Sequence, residues 1–314
     1  MTVQKKILFW GTPEIAKEIL IKIHRGTLYH IAAVITNRDA PRGRSQKPTM
    51  SPVKEQALSF GIPCFTPEKL DREFTEKLRQ IGADLSLIVS YGKLLSQKII
   101  DLPALGTYNL HFSLLPKYRG ASPVQTALLH GEKASGISIF KLEEKLDTGK
   151  IYIQKKMDIR NKNSAEVFEE MIASGGEALQ KFCEDICGGI PFVPKAQNER
   201  EATYCQKFTK SDGEIFPDKE LSEKILRKWR AFFLWPRIFF LASKSGKRVI
   251  LEKLQEMNSS QNIPSESGSF FWNDGKLFLK TMNSAVQVIS AHPEGKKSMT
   301  GAEFWNYWKQ SESL

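Results

Sequence analysis

The sequence predicts an α/β protein with a doubly wound, mostly parallel sheet, followed by a small OB-type β-barrel domain. Apolar runs alternate with helical patterns over the first part of the chain, which is typical of the strands and helices of a parallel sheet. Beyond residue 205, five short strand patterns with turns between them indicate a small barrel. A stretch rich in Pro, Gly and polar residues separates the two patterns. We therefore predict domains at 1–189 and 206–314, joined by a linker at 190–205.

The elements of the first domain follow from its apolar runs. Residues 6–10 form a first predicted strand, and Thr12-Pro13 supplies the N-cap and the first turn of a helix. Ser51-Pro52 opens a second helix in the same way. The further predicted strands are 30–36, 62–65, 84–90, 107–113, 136–142 and 150–159. The further predicted helices are 67–80, 122–130 and 163–187.

The second domain is predicted to begin with a helix at 219–231. Five strands with turn signals between them follow, which is the pattern that favours the OB-type barrel. They are 237–243, 247–254, 268–274, 275–281 and 285–290.

The composition is that of an ordinary globular protein, with 41% hydrophobic residues. No apolar run approaches the length of about 18 residues that a transmembrane helix needs. The first residues, MTVQKKILFWG, lack the cleavage region of a signal peptide. We expect a cytoplasmic protein that is not bound to a membrane.

The four cysteines are too few for a disulfide framework in 314 residues. Cys183 and Cys187 are four residues apart and can share a helix face, an arrangement that a metal site could use. Because no His or third Cys stands close by in the sequence, we interpret both as core or half-buried thiols and expect no metal.

The net charge of +11 suggests an anionic partner such as a nucleic acid. Residues 36–54 hold five basic side chains against one acid, Asp39, which makes +4 in one stretch. Residues 205–314 hold 17 Lys and Arg against 12 Asp and Glu, which adds +5. A flexible, solvated loop is the alternative interpretation of residues 36–54.

Asn109 and His111 are the candidate catalytic pair. They are two residues apart in a predicted strand, so their side chains project from the same face while Leu110 points into the other layer. The loop that leaves this strand lies at the carboxyl edge of the sheet, where such folds bind ligands. An imidazole can exchange a proton near neutral pH, and an amide can hydrogen-bond a growing oxyanion. Together they suit attack on a carbonyl carbon, although both side chains could instead be satisfied by the backbone.

Asp147 is the third candidate. It lies in the turn LDTG after the predicted strand 136–142. A carboxylate close to His111 would favour the protonated imidazole and could orient it. Taken alone, LDTG favours the interpretation of a solvent-exposed turn.

These residues belong to a longer pattern that resembles the methionyl-tRNA formyltransferase family. The resemblance covers nearly the whole chain in order, and SLLPKYRG with the upstream Asn and His is its most specific part. The matching segments are FWGTPEIA (9–16), GRSQKPTMSPVK (43–54), VSYGKLL (89–95), NLHFSLLPKYRGASPVQ (109–125), LDTGKIY (146–152), TYCQKFTKSDGEI (203–215), WRAFFLWP (229–236) and GKKSMTGAEFWN (295–306).

The resemblance implies transfer of a formyl group from 10-formyltetrahydrofolate, a co-substrate, to the methionine amine of initiator tRNA. It implies that Asn109, His111 and Asp147 are catalytic and that no metal is needed, because the formyl carbon is already electrophilic. The residues implied in folate binding are Ser113, Leu114, Leu115, Pro116, Tyr91 and Gly92. The residues implied in tRNA binding are Arg38, Arg42, Arg44 and Lys47, in a chain expected to be a monomer.

Three departures from the family pattern affect packing near the implied folate pocket and remove no catalytic group: Ile15, Ser138 and Lys145. The turn after the first strand lacks G-x-G-x-x-G, so a dinucleotide site has little support. Two other functions remain open at this point. One is a folate-dependent formyltransferase that acts on a ribonucleotide or an amino sugar, and the other is a non-catalytic RNA-binding protein.

Overall fold

The computed structural model describes residues 3–41, 47–257 and 263–311. The chain divides into two compact units. The first comprises Met1–Pro123, Ala134–Asp158 and Phe168–Gln206. The second comprises Val124–Lys133, Ile159–Val167 and Lys207–Leu314. The predicted domain bounds were drawn from composition and stay a prediction.

Eleven strands, six α-helices and a 3₁₀ helix (Glu199–Glu201) lie before residue 206 in the described part of the chain. The strands are β1 (Lys5–Gly11), β2 (Tyr29–Ile35), β3 (Ala40–Pro41), β4 (Pro48–Thr49), β5 (Cys64–Phe65), β6 (Leu85–Val89), β7 (Thr107–His111), β8 (Arg119–Gly120), β9 (Ala134–Lys141), β10 (Ile151–Asp158) and β11 (Tyr204–Cys205). The helices are α1 (Glu14–Ile23), α2 (Pro52–Ser59), α3 (Arg72–Ile81), α4 (Gln97–Ile100), α5 (Pro123–Leu129) and α6 (Ser164–Cys187).

The main sheet of the first unit has the strand order β10-β9-β7-β6-β1-β2-β5. Five neighbouring strands, β7 to β5 in that order, are parallel. Strand β9 pairs antiparallel with β7, and β10 pairs antiparallel with β9. The predicted doubly wound, mostly parallel sheet is therefore confirmed. A parallel sheet is covered on both faces, so its strands are continuous apolar runs in the sequence. All five residues of β6 are buried in this way.

Strand β7 ends at His111, two residues before the predicted end at 113. The hydroxyl of Ser138 donates to the Ser113 carbonyl at 2.7 Å, in place of a backbone partner from the ladder. The chain therefore leaves the sheet directly after His111, and the loop that follows is held by side chains.

The core on one face of the sheet contains Trp10, whose ring contacts Phe74 of α3 and Tyr91 edge-on. The indole N–H of Trp10 donates to the buried Ser86 hydroxyl at 2.8 Å, which satisfies it without water. On β7, Leu110 lies against Gly175 of α6, where an added Cβ would be only 3.2 Å from the leucine methyl. Helix α6 thus covers the face of β7 that carries Leu110.

The second unit contains an antiparallel sheet of six strands with two further helices. Besides α5 and the first residues of α6, its α-helices and strands in the described part of the chain are α7 (Ser222–Ala231), β12 (Phe239–Leu241), β13 (Arg248–Glu256), β14 (Phe270–Asn273), β15 (Lys276–Lys280), β16 (Ala285–Pro293), β17 (Met299–Thr300) and α8 (Gly301–Ser311). The strand order is β12-β13-β16-β15-β14, with β17 on β16. The strands predicted for the second domain are confirmed, and they pair antiparallel. Strand β17 and helix α8 were not predicted. Phe304 and Trp308 of α8 pack on Phe270 of β14, so the helix is stabilised by tertiary contacts.

No helix among the described residues is long and apolar enough to cross a membrane.

Candidate active site

The candidate site lies where strands β1, β2, β6 and β7 end. The side chain of Asn37, just after β2, donates to the Thr12 hydroxyl at 3.0 Å and to the Tyr91 carbonyl at 2.9 Å. Thr12 follows β1 and Tyr91 follows β6, so one amide joins three strand ends. This is the carboxyl edge of the sheet, where ligands bind in folds of this class.

His111 is the last residue of β7 and is only 5% exposed. Its Nε2 lies 2.9 Å from the carbonyl oxygen of Tyr118. A carbonyl can only accept, so Nε2 carries a proton and donates it. Nδ1 faces the Asp147 carboxylate, with 3.9 Å to Oδ2. That distance exceeds a hydrogen bond, but it allows a strong charge interaction when the ring is protonated.

Asn109 precedes His111 by two residues on β7, and strand alternation places both side chains on the same side. Asn109 is partly exposed, and within the described part of the chain its carboxamide forms no hydrogen bond. Leu110 faces α6, as the alternation predicts. The amide of Asn109 is therefore available to a ligand at the strand end.

Asp147 is 5% exposed and is fixed from two sides. Its Oδ2 accepts a hydrogen bond from the backbone N–H of Gly120 at 2.8 Å. Its backbone carbonyl accepts one from the side chain of Gln197, also at 2.8 Å. Its φ of 54° lies in the left-handed region, where Asp is among the better-tolerated residues. A non-glycine residue in this conformation, with its carboxylate buried beside an imidazole, is typical of functional sites.

The loop of residues 113–116 leaves β7 beside His111. The buried Ser138 hydroxyl accepts from the Leu115 N–H at 3.1 Å, in addition to donating to the Ser113 carbonyl. Gln154, paired with Ser138 across β9 and β10, donates to the Leu115 carbonyl at 2.9 Å and to the Ser138 hydroxyl at 3.0 Å. Of the loop residues named from the sequence, Ser113 and Leu115 are buried, whereas Leu114 and Pro116 are partly exposed. The partly exposed pair is the part of this loop that a ligand can contact.

Tyr91 and Gly92 lie after β6. Tyr91 is 2% exposed, and its ring packs edge-on against Trp10 at 5.2 Å. Burial raises the pKa of the Tyr91 hydroxyl to about 12. The Tyr91 side chain therefore belongs to the core, and the exposed Gly92 is the part of this pair that is open to a ligand.

The residues named for tRNA contacts are only partly within the described chain. Arg38 is exposed and forms an ion pair with Glu68 at 3.1 Å, and Lys47 is exposed. Arg42 and Arg44 lie outside the described residues. The role of all four in binding tRNA stays a prediction.

The thiols of Cys183 and Cys187 lie on α6, and burial raises the pKa of both, that of Cys187 to about 11. Both are therefore protonated thiols near neutral pH, as expected of residues that pack in a core. No group of three or more His, Cys, Asp or Glu side chains suited to a metal ion is found among the described residues.

Sequence reasoning did not identify Arg119, Gln197 and Glu199. Arg119 is fully buried, and its guanidinium binds the Gln197 side chain at 2.8 Å and the Glu199 carboxylate at 2.7 Å. Arg119 lies in the segment SLLPKYRG of the family pattern. Its partners lie in the predicted linker, about which the sequence shows only a polar composition.

The chain matches two family models: Formyl transferase over residues 5–180, and Formyl transferase, C-terminal domain, over residues 207–308. The methionyl-tRNA formyltransferase of Thermodesulfovibrio yellowstonii is 34% identical, over 98% of this chain and 97% of the relative. That of Kosmotoga olearia is 40% identical, over 72% of this chain and 73% of the relative.

Two solved structures share the fold at low sequence identity. WlaRD, a sugar 3N-formyl transferase crystallised with dTDP and 5-N-formyl-THF, has a TM-score of 0.64 at 20% identity, over 94% of this chain and all of that one. HypX from Aquifex aeolicus, in complex with tetrahydrofolic acid, has a TM-score of 0.65 at 15% identity, over 98% of this chain and 48% of that one.

Proposed function

This chain belongs to the methionyl-tRNA formyltransferase family, and from that premise we propose that it formylates the methionine amine of initiator tRNA with 10-formyltetrahydrofolate. The similarity to methionyl-tRNA formyltransferases over both domains is the observation that supports this pair of substrates, the tRNA and the formyl folate. The strand-end site with Asn109, His111 and Asp147 is what carries the chemistry. The product is N-formylmethionyl-tRNA, which serves in translation initiation.

The reaction begins with attack of the amine nitrogen on the formyl carbon. The carbonyl π electrons move to oxygen, and a tetrahedral oxyanion forms. The free carboxamide of Asn109 is suited to donate a hydrogen bond to that oxygen, and such a donor contributes about 10²–10³ in rate. Collapse of the intermediate breaks the bond from carbon to N10, so the amine must lose a proton and N10 must gain one.

His111 is suited to handle this proton through Nδ1. Its Nε2–H is engaged by the Tyr118 carbonyl, so Nδ1 is the ring nitrogen left to take up and release a proton. The ring gains a positive charge when Nδ1 is protonated, and the Asp147 carboxylate 3.9 Å away stabilises it. Asp147 therefore supports the charged imidazole, while the Tyr118 carbonyl sets the ring orientation.

The formyl folate is a co-substrate that we place along residues 113–116, with Gly92 near its pterin end. The Ser138 and Gln154 side chains fix the backbone of this loop, so its shape is in place before the ligand binds. Such preorganisation lowers the entropy cost of binding.

For the tRNA, we propose contacts from the basic loop 36–54 and from Lys and Arg residues of the second unit. Arg suits the recognition of phosphates and base edges, and contacts with phosphates are largely independent of sequence. We propose that a monomer in the cytoplasm carries out the reaction.

The test is to incubate the protein with 10-formyltetrahydrofolate and one acceptor at a time, and to measure the mass of each product. The acceptors are methionyl initiator tRNA, glycinamide ribonucleotide and a dTDP-linked amino sugar. We expect formylation of the tRNA alone. Efficient transfer to either small acceptor, with the tRNA unmodified, would replace this proposal with the corresponding enzyme.

A further inference from the structure

The fully buried Arg119 lies on β8, directly between the two backbone groups that contact the site. The carbonyl of the preceding residue, Tyr118, holds His111, and the N–H of the following residue, Gly120, holds Asp147. A guanidinium is always charged, and a buried charge is costly unless it is paired and hydrogen-bonded. The residues that bind the Arg119 guanidinium therefore show which part of the fold this buried charge holds in place.

Those partners lie in one short segment, residues 197–204. The guanidinium binds Glu199 through both Nη atoms, at 2.7 and 2.9 Å, and contacts the Tyr204 hydroxyl at 3.3 Å. The hydrogen bond to Glu199, opposed by burial, raises the pKa of Arg119 further. The segment is also joined to the active-site loop through its backbone, because Arg119 N–H donates to the Thr203 carbonyl at 2.8 Å.

Gln197 connects this buried charge to the Asp147 turn. Its Oε1 accepts from Arg119 Nη2 at 2.8 Å and from Nε at 3.2 Å. Its Nε2 donates to the carbonyls of Asp147 and Gly149, each at 2.8 Å. Arg can only donate and a backbone carbonyl can only accept, so the orientation of the amide is determined. Two hydrogen bonds thus join Arg119 to Gln197, and two more join Gln197 to the turn that contains Asp147.

The backbone of the turn at residues 147–149 is also constrained by its neighbours. A Cβ on Gly149 would lie 1.7 Å from the Lys141 carbonyl, so the backbone passes too close to β9 for any side chain. Asp147, two residues earlier, is in the left-handed conformation, which most non-glycine residues avoid. The two hydrogen bonds from Gln197 span this stretch and favour the conformation that directs the Asp147 carboxylate toward His111.

We propose that Gln197, oriented by the buried Arg119, is a positioning residue for Asp147 in the formyl transfer proposed above, on which this inference rests. Gln197 acts through the backbone of the turn. Loss of the Gln197 amide leaves the Asp147 carboxylate chemically intact, but the carboxylate is then no longer held against the His111 imidazole.

The decisive variant is Gln197→Glu. It keeps the length of the side chain and the acceptor for Arg119, but it replaces the amide donor with an oxygen that faces two carbonyls. We expect kcat to fall by about 10²-fold, the scale that a displacement near 1 Å causes in a catalytic site. The KM for both substrates and the Kd of the folate are expected to stay at wild-type values, and the variant is expected to remain folded at the assay temperature. Gln206→Glu introduces the same change at an exposed residue of the first unit and serves as the control, with wild-type kcat.

A double-mutant cycle separates positioning from general stabilisation. In an Asp147→Asn background the carboxylate is already gone, so Gln197→Glu is expected to cause no further loss of kcat. An equal loss in both backgrounds, or a folate Kd that rises in step with the loss of turnover, would overturn the inference. If Glu at position 197 prevents folding, Gln197→Met takes its place; it removes the donor and the acceptor for Arg119 together, without adding charge.

The two proposals fail in different ways. A wild-type protein that does not formylate methionyl-tRNA contradicts the proposed function. A wild-type protein that does so, together with a Gln197→Glu variant of equal kcat, contradicts only the positioning role.

Discussion

The hydroxyl of Ser138 is expected to hold the loop at the proposed folate site, and Ser138→Ala tests this. The hydroxyl is fully buried and forms three hydrogen bonds, with the Ser113 carbonyl, the Leu115 N–H and the Gln154 side chain. Alanine at position 138 leaves the Ser113 carbonyl and the Leu115 N–H without their partner. A buried polar group that loses its partner costs about 1–3 kcal/mol, so a loop that keeps its place loses about 2–6 kcal/mol in the free energy of unfolding.

A loop that moves to recover these bonds loses less stability, but its backbone then no longer matches the ligand. Urea unfolding and the Kd of the formyl folate are therefore measured together, and at least one of them must change. Ser138→Thr retains the hydroxyl and is expected to bind folate better than Ser138→Ala. Ser135→Ala removes a buried hydroxyl from the opposite face of β9 and serves as the control, with wild-type folate Kd. Wild-type stability together with wild-type folate affinity in Ser138→Ala would refute the reasoning.

Two further predictions concern stability. Gly120→Ala is expected to lower the Tm more than Gly61→Ala: both glycines have positive φ, but only at Gly120 would a Cβ meet a backbone carbonyl, at 2.3 Å. Equal losses of Tm would contradict this. Burial opposes the ionisation of Glu220, but hydrogen bonds from Lys224, from a backbone N–H and from Lys228 outweigh it and lower the pKa of this carboxyl. Its contribution is then present above the unfolded-state pKa of about 4.3 and is lost as the pH falls through the folded-state pKa. The stability advantage of wild type over Glu220→Gln in urea unfolding is therefore expected to shrink toward acid pH, and a constant difference would speak against it.

The fold class could be predicted because its signals are local. Each buried strand is a short apolar run, and α2 begins at the predicted cap Ser51, whose side chain accepts from the Lys54 N–H. The predicted N-cap Thr12 was wrong: α1 has Pro13 at that position and no side-chain cap hydrogen bond. The face shared by Asn109 and His111 follows from the two-residue period of a strand. Helix α8 could not be predicted in this way, because contacts of Phe304 and Trp308 with a distant strand stabilise it.

The fine geometry of the site depends on contacts between distant parts of the chain. Arg119 and Gln197 are 78 residues apart in sequence, and no local pattern links them. The left-handed conformation of Asp147 comes with hydrogen bonds from Gly120 and Gln197, which lie 27 and 50 residues away in the sequence. Strand periodicity predicts which way a side chain points, but it does not predict which backbone carbonyl receives the His111 ring N–H.

The central claim is that Asn109, His111 and Asp147 act together on the formyl group. It is tested most directly by the mass of the aminoacyl group after incubation with 10-formyltetrahydrofolate and methionyl initiator tRNA, for wild type and for Asn109→Ala, His111→Ala and Asp147→Asn. We predict N-formylmethionine with wild type, and variants that remain folded but lose on the order of 10²–10³ or more in kcat. Unmodified methionine with wild type, or wild-type turnover in all three variants, would contradict it.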